Sequence, residues 1–273
     1  MIQRGSRLVG PLIGASFGER VGMAPLFLGV SAAAFVGALV ILFFAREPEG
    51  AQRSVSGGAG VSGVLRGTLQ DLRYVMSNRA VRGAVILLFV LQFSFGATKP
   101  LMELFARDVV GPDDSVRVTG WLAMLMALAS TVSLRAWGSW GDEHGHRRAL
   151  AICALVSAIA LGMHSLVAGL WMLIGLQLVL GFGMAGASPS SYGLAGDAVD
   201  EGRRGGAFGV LFGARTLAMA TSAWVGGYLE RHLGLPGLFL AGAAAVLCAL
   251  LVLRPRRPSD PTVVAAEAPN RDG

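Results

Sequence analysis

Seven apolar stretches of about 20 residues recur along the chain, and their length constrains the fold more than any other feature. At a rise of 1.5 Å per residue, about 20 helical residues cross the roughly 30 Å hydrocarbon core of a bilayer. Only 15% of the residues are charged, against about 25% in soluble domains. The pattern predicts an all-α integral membrane protein. The predicted spans are 24–45, 83–106, 118–137, 149–167, 169–192, 206–229 and 235–253.

Arginine is distributed unevenly between the loops that join these spans. Alternate loops are rich in arginine, whereas the loops between them hold only Arg20, Arg107, Arg117 and Arg231. Because arginine-rich loops stay in the cytoplasm, the rich loops and the C-terminus are predicted to be cytoplasmic. The net charge of +6 follows from this bias, and nothing in it indicates a nucleic-acid partner.

Residues with catalytic or metal-binding chemistry are sparse. No span groups His, Cys or acidic side chains at the spacing of metal ligands or of a nucleophile and its base. The sequence therefore predicts no catalytic residue, no metal site, no cofactor and no enzymatic activity. Cys153 and Cys248 both lie in spans, which favours isolated small side chains, with a disulfide between them as the alternative.

Two glycine patterns predict close helix packing. Residues 181–186 read GFGMAG, but no strand precedes them, so we interpret them as a packing surface and not as a dinucleotide-binding turn. Gly205, Gly209 and Gly213 recur every four residues and share one helix face. That face is predicted to pack within the chain or, alternatively, against a second copy.

A repeat relates the start of the chain to its end. GPLIGASFGERVGMAPLFL at 10–28 aligns with SAWVGGYLERHLGLPGLFL at 222–240, an offset of 212 residues. Helix groups repeated in one orientation are typical of transporters whose halves surround a central site. We expect residues 1–45 to end one half, residues 83–253 to form a complete six-helix second half, and about four further helices to belong before Met1.

Residues 46–82 are predicted to link the two halves through the cytoplasm. The first part of this linker is rich in Gly, Ser and Pro, which predicts flexibility. Apolar side chains within 64–76 fall near one helical face, with Arg66 and Arg73 available for lipid headgroups, which predicts a surface helix. The tail 254–273 is polar and is predicted to be disordered.

The polar turn GSWGDEHGHRRAL at 138–150 is similar to a motif of the major facilitator superfamily. In that family a cytoplasmic turn reads Gly-x-x-x-Asp-(Arg/Lys)-x-Gly-(Arg/Lys)-(Arg/Lys). Gly138, Asp142, Gly145 and Arg147 take the matching places, whereas Glu143 and His146 stand where the family prefers basic residues. The segments LLFVLQFSFGATKPLMELF, RRGGAFGVLFGARTLAMATSAWVGGYL and RLVGPLIGA also resemble the multidrug and tetracycline exporters of that superfamily.

The resemblance implies a secondary transporter in the bacterial cytoplasmic membrane. Two helix bundles would rock around a midplane site and export drug-like, amphipathic small molecules, with the proton as coupling ion. One alternative is an importer of sugars or metabolites from the same superfamily. The other is a truncated membrane scaffold that transports nothing. The expected partners are the lipid bilayer and a small-molecule substrate, with the missing helices supplied by a separate chain or replaced in a homodimer.

Six residues are predicted to form a cytoplasmic gate: Gly138, Asp142, Gly145, Arg147, Arg148 and Asp197. The glycines allow close approach and a sharp turn. Asp142 can accept from amides at a helix start, and the two arginines can pair with Asp197, Asp200 or Glu201. By resemblance, such a cluster locks the cytoplasmic side while the site faces outward. The alternative is an ordinary arginine-rich turn with solvated charges.

Four residues are predicted to contact the substrate or the proton: Gln92, Lys99, Glu103 and Arg215. Lys99 and Glu103 share a helix face, with Pro100 between them favouring a kink. Ionisable groups inside a membrane commonly line a water-filled route. Glu103 could therefore take up and release the proton, while Lys99 tunes the affinity of Glu103 for it. The alternative is an ion pair near the outer surface.

Two further features of the spans concern the substrate path. Arg215 is expected near mid-depth, where it needs a partner. Gln92, Phe93, Phe95 and the run at 188–192 could line a cavity that suits an amphipathic substrate, or they could face lipid or the protein core.

Overall fold

A computed structural model of the protein describes residues 23–44 and 61–253, and all regular elements in these ranges are helical. The all-α prediction is therefore confirmed for the described residues. The segment 10–22, most of the flexible linker and the tail 254–273 lie outside the described residues. The helices are α1 (Met23–Phe44), α2 (Val61–Ser77), α3 (Arg79–Thr98), α4 (Met102–Val110), α5 (Ser115–His144), α6 (His146–His164), α7 (Leu170–Ala198) and α8 (Arg204–Val252).

α8 is too long for one membrane crossing. As a straight helix its 49 residues would extend about 74 Å, more than twice the bilayer core. Gly234 interrupts it with φ +67° and ψ 170°, and Pro236 follows two residues later. These angles are not helical, and glycine is the residue that adopts a positive φ readily. Gly234 therefore allows the chain to reverse at this position.

Contacts with α3 establish the direction of each half of α8. Gly226, in the first half, packs on Ala97 near the end of α3. In the second half, Gly242 packs near Ser94, whereas Leu253, directly after α8, lies beside Gly83 at the start of α3. The first half therefore runs parallel to α3 and the second half runs antiparallel to it.

Five helical stretches of the described chain are long and apolar enough to cross a membrane. Dividing the last of them at Gly234 gives six crossing segments, as the sequence predicts for 83–253. The stretches are Arg79–Val110, Ser115–His144, His146–His164, Leu170–Ala198 and Glu201–Val252.

The helices depart from the predicted spans in two ways. The predicted span 83–106 is not continuous, because a 3-10 turn at Lys99–Leu101 separates α3 from α4. α5 and α7 have 30 and 29 residues, several more than the 20 and 24 predicted, and both extra lengths lie mainly at the end where α6 begins. These extensions carry the polar groups described below.

The glycines of GFGMAG let α7 approach α5 and α6 closely. A β-carbon on Gly183 would lie 2.6 Å from Oγ of Ser157, and one on Gly186 would lie 2.7 Å from Cγ of Trp137. Trp137 also donates its indole N–H to the carbonyl of Phe182 at 2.9 Å. The prediction of a packing surface is confirmed.

The second glycine pattern behaves differently. Among the described residues, no atom lies within 4 Å of a β-carbon placed on Gly205, Gly209 or Gly213. The prediction that this face packs against another part of the chain is therefore wrong for the described bundle. The face lies open on the first half of α8, next to the exposed side chains of Phe208 and Phe212.

α1 stands out by its exposure. Every α1 side chain whose environment is described is exposed, including Phe27, Leu28 and Leu42 at 68%, 71% and 74%. A 22-residue helix with apolar side chains on all faces requires lipid or other helices around it.

Candidate functional site

Most of the predicted gate residues gather at the arginine-rich end of the bundle, where α3 and α6 begin and α5, α7 and α8 end. A single residue, Gly145, separates α5 from α6, and its φ of +93° turns the chain sharply. This conformation strains any residue with a β-carbon. Gly138 was expected to allow close helix approach, but no atom of a described residue lies within 4 Å of a β-carbon placed there. Gly141 takes this role instead.

His146 connects three helices at this end. Its Nε2 lies 3.5 Å from Oδ1 of Asp142, at the end of α5, and 3.9 Å from Oδ2 of Asp197, at the end of α7. Because an imidazole attracts a carboxylate strongly only when it is protonated, the charge of His146 controls both interactions. We call Asp142, His146 and Asp197 the His146 cluster.

Two glycines enclose the imidazole ring of His146. A β-carbon on Gly141 would lie 2.9 Å from Nδ1, and one on Gly193 would lie 2.5 Å from Cδ2 and Nε2. The His146 side chain is only 18% exposed, whereas the Asp142 and Asp197 side chains are 74% and 72% exposed. The ring is therefore fixed by packing, and solvent screens its two partners.

The predicted pairing of the arginines with acidic side chains is wrong for Arg147. Its guanidinium donates to the carbonyl of Leu253, with Nε at 2.8 Å. This carbonyl ends α8 and lacks a helical partner, so Arg147 ties the start of α6 to the end of α8. Arg148 is exposed and forms no ion pair with any described residue.

Asp200 and Glu201, which were also expected to bind these arginines, have other partners. Glu201 lies 3.4 Å from Arg204. Asp200 accepts from the Tyr74 hydroxyl at 3.1 Å, and the Arg203 guanidinium lies 4.4 Å above the Tyr74 ring. α2 is thus held against the connection between α7 and α8, and the linker helix predicted within 64–76 is part of this packing.

Gln92 and Arg215 lie on neighbouring helices inside the bundle. Gly96 faces Ser222 across these parallel helices, so Arg215 lies near the level of Phe89 and Gln92 lies about one turn beyond it. Gln92 is buried at 5% exposure, and Arg215 is half-buried. Arg215 forms no ion pair within the part of the chain that the structure describes.

Lys99 and Glu103 lie at the opposite end of the bundle, Lys99 at the start of the break between α3 and α4 and Glu103 in the first turn of α4. The helix ends at Thr98 and resumes at Met102, which confirms the predicted kink at Pro100. Both side chains are exposed. No ion pair joins them at 4 Å or less, so the predicted alternative of a surface ion pair is not what the structure shows.

The remaining cavity candidates and the two cysteines differ in burial. Phe93 and Phe95 are half-buried, and Ser190 and Ser191 are buried within α7. Both cysteines are free, with Cys153 buried and Cys248 exposed, so no disulfide joins them.

Two polar residues within spans are not among the predicted site residues. Arg135 is exposed on α5, nine residues before the helix ends at His144, or about 14 Å into the helix. Because Arg135 lies inside the predicted span 118–137, its position in the sequence is enough to make it a candidate site residue. Such a charge requires a partner or water in a membrane.

The second of these residues is His164, which is fully buried at the end of α6. Its Nδ1 lies 2.7 Å from the carbonyl of Ala160, and its ring stacks on Phe239 at 5.0 Å and lies 6.5 Å from Phe105. Nε2 has no partner among the described atoms. A single histidine at the end of an apolar stretch does not by itself indicate that its side chain is buried between aromatic rings.

Comparison with known proteins relates the chain to a family of transporters. The sequence model of the Major Facilitator Superfamily matches residues 84–271. The uncharacterized MFS-type transporter YuxJ of Bacillus subtilis is 24% identical over 264 residues, covering 94% of this chain and 65% of that protein.

Two relatives carry more specific names. The multidrug resistance protein MdtG of Dickeya zeae is 24% identical over 244 residues, or 89% of this chain and 58% of that protein. The PmrA homolog of Lactococcus lactis, a multi-drug resistance efflux pump, is 28% identical over 167 residues, or 60% of this chain and 41% of that protein. The chain therefore spans less than two thirds of the length of these relatives.

Proposed function

This chain belongs to the Major Facilitator Superfamily, and we propose that it takes part in secondary active export of amphipathic, drug-like molecules coupled to protons. Family membership and the apolar helices make it a multi-pass membrane protein related to transporters. The observation that carries the export proposal is the alignment of 89% of the chain with a multidrug resistance protein. We place it in the bacterial cytoplasmic membrane with the C-terminus inside.

Arg215 and Gln92 are the proposed substrate contacts. Arg215 is half-buried near mid-depth and has no ionic partner in the described bundle. A charge at this depth is costly unless it meets a polar group or water. The polar end of an amphipathic substrate would supply such a group, and the amide of Gln92 would supply hydrogen bonds close by.

Glu103 is the proposed proton carrier. It lies in the first turn of α4, directly after the break at Lys99–Leu101, and its exposed side chain can exchange protons with water at the opposite end of the bundle. Lys99 lies about one turn earlier, as the first residue of this break. Because α3 and α4 are separate helices, α4 can tilt without unfolding α3.

The His146 cluster, with Gly138, Gly145, Arg147 and Arg148 around it, is the proposed gate. Its three side chains connect α5, α6 and α7 within one bundle. Arg147 connects α6 to the end of α8 through its hydrogen bond to the Leu253 carbonyl. The cluster would therefore set the shape of the surface that this bundle presents when the arginine-rich end is closed. Exposed carboxylates limit each pair to less than about 1 kcal/mol, so closure would be readily reversible.

The function is tested by drug efflux from living cells. We would express the chain in bacteria that lack their own drug pumps, load them with ethidium and other cationic or neutral dyes, and follow efflux after adding glucose. Efflux above the vector control that stops with a protonophore supports proton-coupled export. Uptake of sugars or metabolites without dye efflux would indicate the importer. Correct membrane insertion with no transport of any compound would indicate the scaffold.

A further inference from the structure

α6 and the second half of α8 leave an open groove between two points of contact. At the arginine-rich end, Arg147 donates to the carbonyl of Leu253. Toward the opposite end, a β-carbon on Gly162 would lie 3.5 Å from Cβ of Ala243. Between these points the outer surface of the helix pair carries a groove of about 400 Å³, lined by Leu155, Leu247, Cys248, Leu250 and Leu251.

One face of α6 connects this groove to a cation. The exposed positions of α6 follow a spacing of three or four residues and therefore form one stripe. Arg148 begins the stripe at the arginine-rich end and lies about 10 Å along the helix from Leu155 in the groove wall. The stripe consists of Arg148, Ile152, Leu155, Ile159 and Met163.

The two neighbouring arginines have different partners. Arg147 is occupied by the carbonyl of Leu253, whereas Arg148 points to the surface and has no ion pair with any residue that the structure describes. In a bilayer, Arg148 lies at the headgroup level, because the apolar stripe below it faces the hydrocarbon. A guanidinium at that level attracts a phosphate, and basic pockets between helices bind anionic lipids.

We propose that this groove binds an anionic phospholipid. One acyl chain lies between Leu155 of α6 and Leu247 of α8, and the headgroup phosphate contacts Arg148. A zwitterionic lipid fits the groove equally well, but its ammonium group competes with Arg148 for the phosphate. The site therefore selects lipids by net charge. This inference depends on membrane insertion and not on the export proposed above.

The exposed thiol of Cys248 allows the groove to be probed directly. The chain has only two cysteines, so Cys153→Ser leaves Cys248 as the single attachment point for a small fluorophore. We would reconstitute this protein in phosphatidylcholine vesicles and compare quenching by spin-labelled phosphatidylglycerol and spin-labelled phosphatidylcholine. Lipid retention in native mass spectrometry of the unlabelled protein provides a second measurement that no label can obstruct.

We expect phosphatidylglycerol to associate with the parent protein about five-fold more strongly than phosphatidylcholine does. This ratio corresponds to the attraction between one basic side chain and an anionic membrane surface. Arg148→Gln is expected to abolish this preference, and Arg148→Lys to retain most of it. Arg231→Gln removes an exposed arginine at the opposite end of the bundle, away from Arg148, and is expected to change nothing.

Three results would overturn the proposal. The first is equal association of the two lipids with the parent protein. The second is an unchanged preference in Arg148→Gln by both measurements. The third is weak quenching by both lipids that becomes stronger when the protein is diluted into excess lipid. Dilution separates two copies of the chain, so this result would mean that a second copy occupies the groove.

Discussion

Gly193 of α7 lies directly against the imidazole of His146, so that a β-carbon on this glycine would come within 2.5 Å of two ring atoms. The same ring faces the carboxylates of Asp142 and Asp197. The absence of a side chain at position 193 therefore determines where the histidine of α6 can lie. The contacts of His146 with these two carboxylates depend on that space.

Gly193→Ala is expected to expel the His146 ring and separate it from both carboxylates. Overpacking of this kind costs about 1–3 kcal/mol, and we expect a lower unfolding temperature in detergent together with reduced dye efflux. Gly196→Ala is the matched control on the same helix, because its β-carbon would meet Cζ of Phe208 at an ordinary 3.7 Å. Equal stability and efflux in the two variants would show that the ring position is unimportant.

Gly186→Ala tests the packing of α7 against α5. The new methyl group would lie 2.7 Å from Cγ of Trp137, and the indole cannot retreat without losing its hydrogen bond to Phe182. We expect a loss of about 1–3 kcal/mol. Gly175→Ala lies on the same helix, and its β-carbon would meet no described atom within 4 Å. It is expected to be neutral or slightly stabilising because alanine favours helices. Thermal unfolding in detergent measures both, and a destabilisation common to both would contradict the packing argument.

His164 provides a test that separates a structural role from proton transfer. His164→Phe keeps a ring between Phe105 and Phe239 and removes the buried Nε2, which has no partner in the described part of the chain. An unsatisfied buried group costs about 1–3 kcal/mol, so this variant is expected to unfold no earlier than the parent. His164→Ala loses the ring and is expected to be less stable by about 3 kcal/mol.

Transport activity completes this comparison. If His164 only packs the opposite end of the bundle, His164→Phe retains dye efflux. Loss of efflux in a stable His164→Phe protein would instead assign the histidine to proton movement.

The crossing segments could be predicted from the sequence because bilayer thickness fixes their length. The turn at Gly145 was also predictable, since a glycine between two apolar stretches is itself the signal for a sharp reversal. The break at Pro100 follows from the missing amide hydrogen of proline. These features depend on local sequence, which explains why they were found.

The partners of the charged side chains could not be predicted in the same way. Arg147 binds a backbone carbonyl 106 residues away. Because every residue has a backbone carbonyl, the residue type of Leu253 does not indicate that it accepts this hydrogen bond. His146 occupies a position where the family prefers a basic residue, but its enclosure by Gly193 depends on how α6 and α7 pack. Burial of His164 likewise results from the contact of three distant helices.

Glu103→Gln is expected to uncouple export from the proton gradient. The amide cannot take up or release a proton, so efflux driven by an imposed pH gradient should fall at least ten-fold while dye binding persists. Asp108→Asn neutralises another exposed carboxylate of α4, five residues further on, and should retain activity. Full proton-driven efflux in Glu103→Gln would remove Glu103 from the coupling step.

Arg215→Gln tests the proposed substrate contact. Because Arg215 has no ionic partner among the described residues, its neutralisation should leave the bundle as stable as the parent or more stable, since a charge at mid-depth is costly. Efflux should nevertheless fall at least ten-fold, and Arg215→Lys should recover part of it. Arg231→Gln removes an exposed arginine at the opposite end of the bundle and serves as the control. Efflux and unfolding temperature must be measured together, because a strong loss of stability in Arg215→Gln would mean that the guanidinium holds the helices together and does not serve the substrate.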